Sequence, residues 1–123
     1  MVKSSKISVL IVEDEHDILT LYGDVLRKEG FDVLTATDGG QGMKQALERN
    51  PDVILLDILM PGVDGITMLR EIRAKGCESK VVILTASPTL RLNEGVELGI
   101  HAYLNKAVST PRDIAQLIRQ TVR

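Results

Sequence analysis

The sequence predicts an α/β fold in which helices cover both faces of a doubly wound, five-stranded parallel sheet. Short runs rich in aliphatic and β-branched residues alternate along the chain with longer runs whose apolar residues recur at helical spacing. Several of the short runs are apolar without interruption, as is typical of strands buried on both faces of a parallel sheet. An open parallel sheet with right-handed crossovers and helices on both faces is the simplest arrangement for five such strand–helix units.

The first two strand–helix units follow from local sequence signals. Residues 7–12 (ISVLIV) are a continuous apolar run, and the amphipathic run 15–30 after it ends at a glycine, a common end of helices. Residues 31–37 alternate like a half-buried or edge strand, and residues 39–50 predict a second helix that cannot continue through Pro51. The apolar face of this second helix is predicted to comprise Met43, Ala46 and Leu47.

The next two units repeat the pattern, and a short fifth strand follows them. Residues 53–57 (VILLD) and 80–85 (KVVILT) are apolar runs that predict the third and fourth strands. We expect helices after them at 64–75 and at 89–98, of which the second has the weakest helical pattern in the chain. Residues 101–105 (HAYLN) predict the fifth strand.

The last helix has a clear start signal. Thr110 is a suitable N-cap, Pro111 suits the first helical position, and Asp113 places an acid in the first turn. The inward residues of this helix are predicted to be Ile114, Leu117, Ile118 and Val122.

The composition indicates one folded domain and excludes direct nucleic-acid binding. A chain of 123 residues that is 44% hydrophobic can form one core, so we expect residues 1–123 to be a single domain. A net charge of −2 provides no basic surface, and two tyrosines, one phenylalanine and no tryptophan provide no platform on which bases stack.

The cysteine count and the lengths of the apolar runs predict the cellular location. The only cysteine, Cys77, cannot form an internal disulfide, which is typical of a reducing compartment. Glu13 and Asp14 interrupt the N-terminal apolar run, so it does not fit a secretory signal peptide, and no run approaches the length of a membrane span. We therefore expect a cytoplasmic protein that is not bound to a membrane.

Polar residues follow the predicted strands at the edge where ligands bind in such sheets. Doubly wound sheets bind ligands beyond the carboxyl ends of their strands. The residues expected there are Glu13 and Asp14 after the first strand, Asp57 at the end of the third, Thr85 at the end of the fourth and Lys106 after the fifth. They are the candidates for a functional site.

The three carboxylates at this edge predict a metal-assisted site. They would repel one another without a cation, and hard oxygen ligands suit Mg²⁺, with Mn²⁺ as the alternative. A carboxylate beside such an ion, with the Thr85 hydroxyl and the Lys106 ammonium aimed at the same point, can accept a phosphoryl group. Asp57 is the predicted nucleophile. Taken singly, Glu13 and Asp14 could equally cap the first helix, and Asp57 could be a turn residue.

Four motifs in order resemble the receiver domain of two-component response regulators over essentially the whole chain. They are VLIVEDE, VILLDILMPGVDG, VVILTAS and AYLNKA. The resemblance implies a flavodoxin-like three-layer sandwich with strand order 2-1-3-4-5 and five helices. It also implies that Asp57 accepts a phosphoryl group from the phosphohistidine of a sensor histidine kinase or a phosphotransfer protein. Asp14, Asp57 and the backbone carbonyl of Leu59 would bind Mg²⁺, with Glu13 acting through water.

The same resemblance implies a conformational switch rather than an ordinary enzyme. Thr85 would swing toward the phosphoryl group, Tyr103 would follow by turning inward, and Lys106 would pair with the phosphate. The surface of the fourth predicted helix, the fifth strand and the last helix would then repack to control an output domain or a downstream protein. The only reactions catalysed would be the chain's own phosphorylation and dephosphorylation, and we expect a monomer or weak dimer.

One departure from the family pattern keeps an alternative open. Ala107 stands where the family usually has proline after the lysine, and a cis bond costs about 2.5–4 kcal/mol before alanine against about 0.5–1 kcal/mol before proline. We therefore expect a trans Lys106–Ala107 bond, which would shift Lys106. The alternative is a degenerate receiver that acts as a constitutive protein-interaction module.

A haloacid-dehalogenase-type phosphatase is disfavoured because Leu59 replaces the second acid of that family's D-x-D motif.

We expect a longer-lived phosphoryl group on Asp57 than in relatives with an amide at the position of Leu59, because the apolar side chain of Leu59 would hinder an attacking water. Leu59→Asn should therefore increase the rate of autodephosphorylation relative to the wild-type protein. An unchanged or slower rate in the variant would contradict this expectation.

Overall fold

The structure is a computed structural model that describes residues 6–57, 65–85, 99–105 and 109–122. The strands are β1 (Ser8–Val12), β2 (Asp32–Ala36), β3 (Val53–Asp57), β4 (Lys80–Thr85) and β5 (Ile100–Asn105). The helices within these ranges are α1 (His16–Lys28), α2 (Gly39–Arg49), α3 (Gly65–Ala74) and α4 (Pro111–Val122). The helix predicted at 89–98 lies outside the described residues, so α4 is the last of the five predicted helices. No helix in the described ranges has the length and apolar character needed to cross a membrane.

The five strands form one parallel sheet in the order β2-β1-β3-β4-β5. This arrangement confirms the expected parallel, doubly wound sheet and its strand order. The chain reverses its winding direction between β1 and β3, which are neighbours in the sheet. The carboxyl ends of these two strands therefore flank the position where such sheets bind ligands.

Two apolar clusters, one on each face of the sheet, form the core. Alternate residues of a strand point to opposite faces, so Leu10 and Val12 join the cluster under α2 and α3, whereas Val9 and Ile11 join the cluster under α1 and α4. All five residues of β3 are buried. The three layers match the predicted sandwich.

The structure shows the local interactions that begin α4 and end α1 where the sequence predicts. The Thr110 hydroxyl accepts a hydrogen bond from the Asp113 N–H at 3.1 Å, and the Asp113 carboxylate accepts one from the Thr110 N–H at 3.0 Å. Hydrogen bonds from the backbone and the side chain of Thr110 lower the pKa of the Asp113 carboxyl group. The stabilisation that the Asp113 carboxylate gives this cap is therefore fully present above about pH 4 and is lost as the pH falls through the folded-state pKa. Gly30, with φ of 95°, ends α1, as predicted.

Leu47 departs from the predicted inward face of α2, because its side chain is 37% exposed. Gly42 and Ala46 are the buried residues at this face, and successive helical residues are rotated by about 100°. Leu47 is consequently turned away from the sheet.

β5 contains an irregularity that the sequence pattern did not predict. Val81 pairs with Ile100 and Val82 with Ala102, so His101 is an extra residue in the strand. Because of this bulge, Ile100 and Tyr103 pack against the same cluster, the one under α2 and α3. His101 is exposed.

We expect opposite effects from the same substitution at two helical glycines. A Cβ at Gly42 would lie 2.9 Å from Met68 Sδ and 3.0 Å from Val12 Cγ2, both fully buried. Overpacking there costs about 1–3 kcal/mol, so Gly42→Ala should lower the free energy of unfolding. A Cβ at Gly23 would first meet the mobile end of Arg27, at 3.3 Å. Gly23→Ala should instead stabilise the protein by about 0.5–1 kcal/mol through helix propensity.

Chemical denaturation of both variants measures the two effects. A stabilising Gly42→Ala would contradict the close approach of α2 to β1, and a destabilising Gly23→Ala would contradict the expected gain in helix propensity at that position.

Candidate functional site

An acidic group stands at the carboxyl ends of β1 and β3. Glu13, Asp14 and Asp57 each offer a carboxylate oxygen, and these oxygens all lie within 4.8 Å of one another. Glu13 and Asp57 are nearly inaccessible, at 1% and 4% exposure, whereas Asp14 is partly exposed. The structure thus brings together the three acids that the sequence analysis placed at this edge.

Strand register explains why these side chains meet. Val12 is paired with Leu56, so the next residue of each strand, Glu13 or Asp57, stands at the same level of the sheet. The Glu13 N–H donates to the Ala36 carbonyl oxygen at 3.0 Å, which continues the β1–β2 pairing by one residue. The backbone of Glu13 is therefore held from β2 while its side chain lies beside the end of β3.

The N-terminal end of α1 compensates part of the negative charge of the acidic group. α1 begins at His16, and its N-cap residue Glu15 makes no capping bond with its own side chain. Instead, the Glu15 N–H donates to Glu13 Oε1 at 3.3 Å. The helix-capping interpretation is therefore correct in part for Glu13. The positive end of the α1 dipole also lies beside the acidic group and favours its negative charge.

The three carboxylates fit a small divalent cation. They are hard oxygen donors, and Mg²⁺ binds such donors at about 2.0–2.1 Å, so two ligands of one ion lie at most about 4.2 Å apart. The 4.8 Å limit on the oxygen separations exceeds this value only slightly. A small side-chain adjustment, or a water between one carboxylate and the ion, would complete the fit.

The remaining candidate residues are distributed over β4, β5 and the segments beyond them. Thr85 is the last residue of β4, and its backbone pairs with Asn105 of β5. Tyr103 pairs with Ile83, and its ring is partly buried with an inaccessible hydroxyl oxygen. Leu59 and Lys106, together with the bond from Lys106 to Ala107, lie outside the described residues.

The glycine-rich run 38–42 forms the start of a helix. Asp38 is the N-cap of α2 and accepts a hydrogen bond from the Gln41 N–H at 2.8 Å. The Gln41 side chain in turn accepts from the Thr37 N–H and hydroxyl, both at 3.1 Å. An Asp-x-x-Gln pattern before a helix predicts such a reciprocal cap, so this signal was available in the sequence.

A groove at the opposite end of the sheet contains charges that are already paired. It has a volume of about 360 Å³ and lies between the starts of β1 and β2 and the end of α4. Arg119 donates to the backbone carbonyl oxygen of Glu29 at 2.9 Å and to its Oε1 at 3.0 Å. The same guanidinium lies 5.1 Å from the centroid of the Phe31 ring. These contacts join α4 to the end of α1, and the groove is far from the acidic group.

Comparison with known proteins identifies relatives along most of the chain. Residues 9–119 match the family model described as the response regulator receiver domain. Over 116 residues the chain is 34% identical to the alkaline phosphatase synthesis transcriptional regulatory protein PhoP of Bacillus subtilis (strain 168). The alignment covers 94% of this chain and 48% of that protein, so the chain spans about half the length of this curated relative.

Solved structures share the whole fold. A CheY-like response regulator receiver domain protein from Methanospirillum hungatei JF-1 is similar with a TM-score of 0.88 and 26% identity, covering 96% of this chain and 94% of that chain. The response regulator domain of Thermotoga maritima CheB is similar with a TM-score of 0.79 and 27% identity, covering 95% and 96% of the two chains.

We expect Mg²⁺ to stabilise the protein through Asp14. At ten times its dissociation constant, an ion that binds only the folded state adds about 1.4 kcal/mol to the free energy of unfolding. Asp14→Asn should lose most of this gain. In EDTA the variant should be more stable than the wild-type protein, because one of three mutually repelling charges is removed.

Thermal unfolding with Mg²⁺ and with EDTA measures both effects. Asp17→Asn is the matched control, because Asp17 is an exposed acid in the first turn of α1. An undiminished response to Mg²⁺ in Asp14→Asn would contradict the assignment of Asp14 as a ligand.

Proposed function

The chain belongs to the response regulator receiver family, and we propose that it is a phosphorylation-controlled switch whose phosphoryl acceptor is Asp57. Receiver domains are signalling switches rather than classical enzymes, and they bind Mg²⁺ at an acidic pocket. The observation that carries the proposal is the convergence of Glu13, Asp14 and Asp57 within 4.8 Å at the carboxyl ends of β1 and β3.

The chemistry assigned to Asp57 is nucleophilic attack on phosphorus. A carboxylate oxygen of Asp57 forms a bond to the phosphorus of a phosphohistidine while the phosphorus–nitrogen bond breaks. The electron pair of that bond stays on the imidazole nitrogen, and a proton already on the other ring nitrogen of the phosphohistidine makes the departing histidine neutral. The carboxylate has no proton to lose. Asp57 is suited to this attack because it ends a strand whose residues are all buried, which holds the carboxylate in one place.

Charge balance is the main requirement of the site. A phosphoryl group brings negative oxygens toward three carboxylates, and this approach is unfavourable without a compensating cation. A Mg²⁺ ion held by Asp14, Asp57 and the Leu59 carbonyl, with Glu13 acting through water, would supply the positive charge. Lys106 and the Thr85 hydroxyl are the further groups proposed to stabilise the phosphoryl oxygens.

The proposed partners are a phosphoryl donor and a downstream output. A sensor histidine kinase or a phosphotransfer protein would present the phosphohistidine. The Bacillus subtilis relative is named a transcriptional regulatory protein, and this chain aligns with about half of its length. By analogy, we propose that the chain controls an output domain or a separate protein through the surface of the fourth predicted helix, β5 and α4. Thr85 and Tyr103 would couple Asp57 to that surface.

We expect Mg²⁺-dependent phosphorylation of Asp57 by a small acyl phosphate. Incubation with acetyl phosphate and Mg²⁺ should add the mass of one phosphoryl group, measured by intact-protein mass spectrometry. Replacing Mg²⁺ with EDTA should abolish the addition, because the carboxylates then repel the donor.

Two variants make this experiment specific. Asp57→Asn should take up no phosphoryl group, whereas the control Asp17→Asn should behave as the wild-type protein does. If the folded wild-type protein takes up no phosphoryl group with Mg²⁺ present, the acceptor proposal fails. The degenerate interaction module would then be the better description.

A further inference from the structure

A single guanidinium joins the end of α3 to the start of β5. Arg73, in the last turn of α3, donates from Nη1 to the Cys77 carbonyl oxygen at 2.9 Å and from Nη2 to the Gly99 carbonyl oxygen at 3.4 Å. Cys77 belongs to the turn between α3 and β4, and Gly99 directly precedes β5. The side chain therefore connects two backbone segments that are distant in sequence.

The start of β5 lies at an edge of the sheet, beside an irregularity in the strand pairing. β5 is an edge strand that pairs only with β4, and the bulge at His101 interrupts that pairing near its beginning. Gly99 has φ of 70°, a left-handed conformation that turns the chain into the strand. The regular pairing with β4 is thus interrupted close to the point where the strand begins.

The bulge decides which side chains of β5 face the core under α2 and α3. In a regular strand, Ile100 and Tyr103 would point to opposite faces, because they are separated by an odd number of positions. The extra residue, His101, brings both onto the same face, where they pack against one cluster. A different position of the bulge would turn one of them away.

Arginine is suited to this position by its shape as well as its charge. Partial burial lowers the pKa of Arg73, while the nearby Cys77 and Glu78 act in the opposite direction, and an arginine stays protonated throughout the ordinary pH range. Its planar group carries several N–H donors in a fixed fork, so it can bond two carbonyl oxygens at once. A lysine in its place has one nitrogen and a different geometry.

We propose that Arg73 is a positioning residue that anchors the bulged start of β5 and thereby keeps Tyr103 on the α2 and α3 side of the sheet. The anchor requires neither a metal nor a phosphoryl group. It determines the starting position of the strand that carries Tyr103 and leads to Lys106, both of which belong to the proposed switch.

Fluorine NMR tests the anchor because the chain contains only two tyrosines, Tyr22 and Tyr103. Tyr22 lies on α1 and is buried in the cluster on the opposite face of the sheet, so its signal is an internal control. The protein is labelled with 3-fluorotyrosine and studied without Mg²⁺ or a phosphoryl donor. The result is therefore independent of whether Asp57 accepts phosphate.

Two variants at position 73 and one control are compared with the wild-type protein. In Arg73→Gln and Arg73→Lys the Tyr103 signal should move or broaden, while the Tyr22 signal stays in place. Amide hydrogen exchange at Ala102 and Leu104 should become about tenfold faster, with exchange in β1 unchanged. Arg49→Gln removes an exposed positive charge from the last turn of α2 and should leave both tyrosine signals unchanged.

Three outcomes would overturn the proposal. An unchanged Tyr103 signal in folded Arg73→Gln would show that the anchor does not position this residue. Wild-type spectra in Arg73→Lys would mean that positive charge, rather than the bond to two carbonyl oxygens, is what matters. Equal changes at Tyr22 and Tyr103 would indicate general loosening of the fold instead of a local effect on β5.

Discussion

The in-register pairing of two buried strands is the constraint on which the candidate site depends. Val12 and Leu56 lie opposite each other and are fully buried, so neither strand can slide without moving aliphatic side chains out of the core. A slip of one residue would turn every side chain of a strand to the other face of the sheet. The pairing therefore holds Glu13 and Asp57 side by side despite the repulsion between their charges.

The buried strands β1 and β3 thus hold together carboxylates whose mutual repulsion is unfavourable. Two nearly inaccessible carboxylates lie close together, and two like charges at short distance disfavour each other. The N-terminus of α1 and the Glu15 N–H that donates to Glu13 offset part of this cost. In the proposed function, a cation or an added phosphoryl group would act on this balance, because either one would change the charge at the point where β1 and β3 end.

The two sides of the sheet differ in how firmly their strands are held. β3 is central and buried at every residue, whereas β5 is an edge strand with no fully buried residue and with a bulge at His101. The proposed switch needs both properties, a rigid strand that presents Asp57 and a less constrained strand that can respond. One hydrogen bond of Arg73 reaches Gly99, the residue directly before this second strand.

The sequence by itself determined the features that depend on local pattern. Apolar runs predicted the strands, the Thr110 cap predicted the start of α4, and resemblance to receiver domains supplied the strand order. Only the tertiary structure decided the separation of the carboxylates, the exposure of Leu47, the bulge at His101 and the contact from Arg73 to Gly99. Each of these depends on the relative positions of two elements distant in sequence, and the periodicity of a single segment carries no information about such distances.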